Sequence, residues 1–233
     1  MIRREFLAMS GLAACASVVP AATKAADGDL PNLADGLAPI SRAEREDRLS
    51  RAQLLMKKLG IGAILVEPGS SLVYFTGVRW WRSERITAVL IPVEGEACIF
   101  TPYFEEPSIR ESMGIRADVR TWNEDENPQK LIADWLVEKK LSDKPLGMEE
   151  TVRHFIVDGL QKALPQIEIV SGAPVVRNCR MHKTANEIAL MQAAADITVT
   201  AFKHAAPQIQ RGMTPDDINT LINIATAKLG GAG

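Results

Sequence analysis

The chain has 233 residues, enough for one large domain or for one domain and part of a second. Apolar content of 46% and charged content of 24% are ordinary for a soluble globular protein and exclude a collagenous or low-complexity chain. A net charge of -2 removes any electrostatic reason to expect nucleic acid or an anionic membrane as partner.

Residues 1–26 read as an export signal outside the fold. Arg3 and Arg4 precede Glu5, Phe6 and Leu7 in the twin-arginine pattern, an apolar stretch follows to Val19, and Thr23-Lys24-Ala25 offers small residues for cleavage after Ala25. The apolar run is too short to span a bilayer core of ~30 Å. A lipid-attachment box ending at Cys15 and a cytosolic N-terminal helix are the alternatives. The run continues past Cys15, so soluble twin-arginine export to the periplasm or the exterior is the expectation. No membrane span is expected. Beyond the leader lie Cys98, in an apolar strand-like run, and Cys179, which read as free thiols and not as a disulfide framework.

Residues 27–40 are rich in Gly, Pro and Asp and read as a linker. Ser41 and Glu44 then form a capping box, with Leu49, Ala52, Leu55 and Leu59 as the apolar stripe and Gly60 as the stop. Ile61 to Val66 suits a buried strand, Leu72 to Thr76 a second and Ile86 to Val93 a third. Glu94-Gly95-Glu96 turns the chain into Ala97 to Thr101. Glu105 to Met113 reads as helix and Ala117 to Trp122 as strand. Asn127-Pro128 caps a helix to Lys140. Leu146 to Glu149, a helix from Val152 to Leu164, and Ile167 to Ser171 complete an α/β domain over residues 41–175. Residues 176–233 read as a linker and two helices. Ile188, Met191, Ala195, Thr198, Phe202 and Ala205 form one apolar stripe. After a Thr214 cap, Ile218, Leu221, Ile222, Ala225 and Leu229 form the other.

The metal motifs are absent: His154, His182 and His204 have no second His or Cys at ligand spacing. No nucleophile elbow, phosphate loop or dinucleotide turn occurs, so no catalytic residue and no metal ligand is assigned within the chain. The segment from Tyr74 to Arg85 stands out, a loop expected at a sheet end. Arg79, Arg82 and Arg85 can grip a carboxylate, and Trp80 or Trp81 can cover a site. A core tryptophan, an interface tryptophan and a solvated arginine rim are the equally open alternative. The substrate-binding candidates are Trp80, Trp81, Arg82 and Arg85.

Tyr74-x-Thr76-Gly77, the run Val176-Arg177-x-x-Arg180-x-x-Lys183-x-x-x-Glu187-Ile188-x-x-Met191-x-x-Ala194, and Gly212-Met213-Thr214-Pro215-Asp216-Asp217 together resemble the creatinase, prolidase and aminopeptidase P family of pita-bread metallohydrolases. The resemblance covers residues 41–233. It implies a creatinase-type α/β domain with a mixed sheet, followed by the first two helices of a truncated pita-bread domain. It also implies an exported metallopeptidase that cleaves Xaa-Pro bonds in short proline-containing peptides. Two divalent metals (Mn, Co or Zn) would be held by two aspartates, a histidine and two glutamates, none of which can be placed on this chain. A homodimer in which the N-terminal domain approaches the partner's active site is implied too. A creatinase-like C–N hydrolase and a non-catalytic binding module (a pseudoenzyme or a truncated product) are the alternatives. The 233-residue chain alone is expected to be inactive.

Overall fold

The computed structural model describes residues 30–231. Arg3, Arg4, Cys15 and Ala25 lie outside the described residues. Among the described residues, no helix is long and apolar enough to cross a membrane.

The larger unit, residues 37–190, is built on a six-stranded sheet. Its elements run α1 (Arg42–Leu59), β1 (Ala63–Val66), α2 (Ser70–Thr76), β2 (Ala88–Pro92), β3 (Ala97–Pro102), a short 3-10 turn at Tyr103–Glu105, α3 (Glu106–Ser112) and β4 (Ala117–Trp122). Then come α4 (Pro128–Glu138), β5 (Leu146–Met148), α5 (His154–Ala163), β6 (Ile169–Ser171) and α6 (Ala173–Met181). The start of α7 (Ala185–Ala205) closes the unit. The strand order is β4-β3-β2-β1-β5-β6. β1 runs parallel to β5 and β5 to β6, β3 runs parallel to β4, and β2 is antiparallel to both its neighbours, which makes the sheet mixed.

Both faces of the sheet are covered, which is why the central strands read as unbroken apolar runs. Side chains alternate across the pleat. Ala63, Leu65, Leu90 and Phe100 join one core with Ile132, Trp135 and Ile156 of α4 and α5. Ile64, Val66, Val89 and Ile99 join the other with Met56 of α1, Phe75 of α2 and Val175 of α6. Cys98 and Cys179 are free, buried, and belong to opposite cores.

Local chemistry sets the element ends. Ser41 and Glu44 form the expected capping box, and Gly60 ends α1 at φ 69°, in the left-handed region a glycine adopts at low cost. Asn127 accepts from the Lys130 amide and caps α4. Gly95 turns β2 into β3 at φ 89°.

Three sequence expectations are corrected within this unit. Leu72 to Thr76 is helix, not strand: Leu72, Phe75 and Thr76 bury at helical spacing, and Gly77 closes the helix at φ 82° with its amide on Val73 O. The expected linker after residue 175 is helix α6, with Val175, Val176 and Cys179 buried. On α1, Leu59 is exposed, and Arg48, Ala52 and Met56 form the buried line.

The second unit comprises residues 30–36 and 191–231. It holds most of α7 and the helix α8 (Pro215–Lys228), which Thr214 and Asp217 open with a capping box. Ile197, Ala201 and Ala205 of α7 pack with Ala225 and Leu229, and Leu30, Leu33 and Ala34 cover them. Leu33 N donates to Leu229 O at 2.9 Å, so part of the segment that reads as a linker is packed chain. The expected stripe on α7 is largely the other face: Ile188, Met191 and Phe202 are exposed.

Candidate functional site

β1 and β5 end side by side and point the same way, and each is followed directly by an acid, Glu67 and Glu149. These side chains are almost fully buried, with residue exposures of 1% and 5%. A carboxylate cannot be buried at tolerable cost without donors, so the surrounding chain is arranged to supply them. Glu67 Oε1 accepts from Arg153 Nε at 2.9 Å and Nη2 at 2.7 Å, and its Oε2 accepts from the Arg153 amide at 2.8 Å. Glu149 Oε1 accepts from the Ser71 hydroxyl at 3.0 Å, and its Oε2 accepts from the Thr151 amide at 2.8 Å and hydroxyl at 2.5 Å.

A groove of about 1050 Å³ opens over these strand ends. Residues 67–71, 79–82 and 149–151 line it, with Val73 and Arg180. Its position follows the general rule that open α/β sheets present ligand sites beyond the C-terminal ends of parallel strands. Arg180 reaches in from α6, donating from Nη1 to Ser71 Oγ at 3.0 Å and from Nη2 to Ser70 Oγ at 2.9 Å. Behind it, the Tyr74 hydroxyl donates to Cys179 O at 2.7 Å and ties α2 to α6; burial pushes this phenol above its usual pKa.

The loop singled out in the sequence joins α2 to β2, so it follows a helix and not a strand. Trp80, Trp81 and Arg82 line the groove together with Arg79; Arg85 does not. Trp80 is half-buried against the core, and its indole N–H donates to Glu105 Oε2 at 3.0 Å. The same oxygen accepts from Thr87 Oγ1 at 2.9 Å and from Thr101 Oγ1 at 3.1 Å, which anchors the loop to β2 and β3. Trp81 next to it is 90% exposed. Arg82 donates from Nε to Pro68 O at 3.0 Å and from Nη2 to Thr151 Oγ1. Arg85 instead meets Glu124 at 2.6 Å and Glu84, with its guanidinium over the Phe104 ring.

Glu67, Glu149, Ser71 and Arg180 escaped the sequence reading as site residues. The available signal was an acid set directly after a short buried run, Glu67 after Ala63–Val66 and Glu149, itself followed by Glu150, after Leu146–Met148. Among the described residues, no three His, Cys, Asp or Glu side chains gather closely enough to hold a metal ion. The residues present therefore do not fit a dinuclear metal pair, and no metal-dependent step is derived from them.

An αβα sandwich with one antiparallel strand and a groove at its parallel strand ends defines the class of domain. Residues 48–182 match the Creatinase/Prolidase N-terminal domain, and the chain belongs to that creatinase/prolidase family. It is 29% identical over 209 residues to an uncharacterised peptidase of Schizosaccharomyces pombe, covering 84% of this chain and 45% of the relative. It is 24% identical over 186 residues to the ectoine hydrolase of Halomonas elongata, covering 75% of this chain and 47% of the relative. Among solved structures, the prolidase of Thermococcus sibiricus superposes with a TM-score of 0.69 at 22% identity, over 81% of this chain and 50% of the prolidase. The dipeptidase PepE of Mycobacterium ulcerans superposes at 0.64 with 24% identity, over 82% of this chain and 51% of PepE. The chain spans about half the length of each of these four relatives.

Proposed function

We propose that this chain is the N-terminal half of an exported peptidase of the Xaa-Pro type, and that its α/β domain guides short peptides to a metal centre built by residues outside it. The observation that carries the reading is the family domain over residues 48–182, held in common with peptidases and prolidases. The groove supports it, because it exposes an indole and guanidinium groups where a peptide side chain and a carboxylate could rest. Export rests on the Arg3-Arg4 pattern and the Ala25 cleavage site. A homodimer is proposed with it, the groove of one subunit lying near the partner's active site.

The test is turnover by the complete gene product supplied with Mn, Co or Zn. Cleavage of Ala-Pro but not Ala-Ala is expected, lost on chelation, and none from the 233-residue chain alone. The ectoine hydrolase relative favours a second reading, hydrolysis of a C–N bond in a small zwitterion. Turnover of ectoine without turnover of Ala-Pro would replace the first reading with the second. Replacing Arg3 and Arg4 by lysine should leave an uncleaved cytoplasmic precursor; normal export of that variant would remove the twin-arginine assignment.

A further inference from the structure

The groove holds an uneven balance of charge. Each of its acids is already satisfied by the protein: Glu67 by Arg153, Glu149 by Ser71 and Thr151, and Glu150 by Arg177 Nη2 at 2.6 Å. Its three arginines, Arg79, Arg82 and Arg180, have no carboxylate in direct contact among the described residues, although they line the same space. Two are fixed by neutral oxygens, Arg180 by the Ser70 and Ser71 hydroxyls and Arg82 by Pro68 O and Thr151 Oγ1. Arg79 makes no hydrogen bond among the described residues and is exposed. Ser71 and Thr151 donate these same hydroxyls to Glu149, which has no cation in direct contact among the described residues and so offsets one of the two charges. With Arg79 the groove stays net positive, and guanidinium groups already held in place lose little freedom on meeting an anion.

We infer that the groove is a carboxylate-binding site formed by Arg79, Arg82 and Arg180, and that it takes the C-terminal carboxylate of a short peptide whose apolar side chain lies against Trp81. Arg180 comes from α6, about a hundred residues from the loop, so the site exists only in the folded domain. A volume of about 1050 Å³ is far more than a lone small anion needs and matches a ligand of several residues. The indole of Trp81, 90% exposed at the rim, is the large apolar surface that a side chain would cover.

The inference takes its choice of a peptide from the proposed function, but binding is read without turnover. Calorimetric titration of the full chain at low salt would use Gly-Pro-Leu, its C-terminal amide, and sodium acetate. The free acid is expected to bind at least tenfold tighter than the amide and than acetate. Arg79→Ala and Arg180→Lys should each cut acid binding about tenfold and leave amide binding unchanged, and Trp81→Ala should weaken acid and amide alike. Arg79 supports no internal bond, so Arg79→Ala also guards against a folding artefact. Equal binding of acid and amide, or a full preference in Arg79→Ala, would overturn the site. Acetate binding as tightly as the peptide acid would overturn the peptide assignment. A gene product that cleaves Ala-Pro but shows no acid preference would sink this inference alone. A retained preference without cleavage would sink the peptidase reading alone.

Discussion

The Arg48 guanidinium donates from Nη2 to Glu187 Oε1 at 2.7 Å across 139 positions of sequence, with side chains only 6% and 13% exposed. Arg48 also donates from Nη1 to Tyr74 O at 2.7 Å and lies over the Tyr74 ring at 4.1 Å. Glu187 uses its second oxygen to accept from the Thr184 amide at 2.7 Å, while Thr184 Oγ1 accepts from the Glu187 amide. One carboxylate thus caps the start of α7 and fastens it to α1.

Breaking this pair from one side should cost more than removing it whole. Arg48→Met leaves a largely buried carboxylate without its cation, a loss of ~3–5 kcal/mol where pairs are fully desolvated. Arg48→Met with Glu187→Met should recover most of that and retain a deficit of about 1 kcal/mol for the lost cap. Urea denaturation of both singles and the double closes the cycle. Additive losses would mean that the two groups are not coupled.

Much of the sandwich was legible because its signals are local. The Ser41 box, the Gly60 stop, the Asn127 cap and the buried runs at Ile61 to Val66 and Ala97 to Thr101 each carry their cause within a few residues. Leu72 to Thr76 misled because five apolar and β-branched residues hold too little periodicity to separate strand from helix. The bracketing glycines, Gly69 and Gly77, carried the helical answer. On α7 both faces are apolar, so the buried line through Ile197, Ala201 and Ala205 was settled by Leu30, Leu33 and Ala34, which periodicity does not locate. The groove was half visible: the tryptophans and Arg82 announce themselves, but Arg180 and the two strand-end acids meet only through topology.

Gly77 should resist substitution more than Gly60, although both sit at positive φ. Alanine pays the left-handed strain of ~1–2 kcal/mol at either position. A Cβ on Gly60 meets nothing within 4 Å, whereas one on Gly77 would lie 2.9 Å from Arg45 Nε and 3.2 Å from its Cζ. Gly77→Ala is therefore expected to lose up to about 1 kcal/mol more than Gly60→Ala, measured by chemical denaturation. Equal losses would mean that Arg45 moves aside freely.

The two buried thiols predict an alkaline limit on stability. Burial pushes Cys98 up to about 12 and Cys179 up to about 11 from an ordinary value of 9.0. Below pH 9 both folded and unfolded chains keep these protons, and the contribution is fully present. As pH rises above 9 the unfolded chain releases them first, so unfolding is favoured until the folded values are passed. Native protein at pH 8 should leave both thiols unreactive to a disulfide reagent, with both released by denaturant. Rapid labelling of the native chain, or stability unchanged between pH 8 and pH 10, would contradict the burial.

Adjacent tryptophans in the groove should separate structure from contact. Trp80 is half-buried and donates to Glu105, so Trp80→Ala loses packing and one of three hydrogen bonds to that carboxylate. The expected cost is about 2–3 kcal/mol, below the ~3–5 of a fully buried tryptophan, and the melting temperature should fall by several degrees. Trp80→Phe restores the ring contact but not the N–H and should recover part of the loss. Trp81→Ala removes a ring that is 90% exposed, so its melting temperature should match the parent within about a degree, as surface substitutions within ±0.5 kcal/mol do. Thermal melts followed by near-ultraviolet circular dichroism read both effects on the same samples. A large stability loss for Trp81→Ala would show that its indole is packed in solution, leaving no free ring at the rim for a ligand side chain to cover.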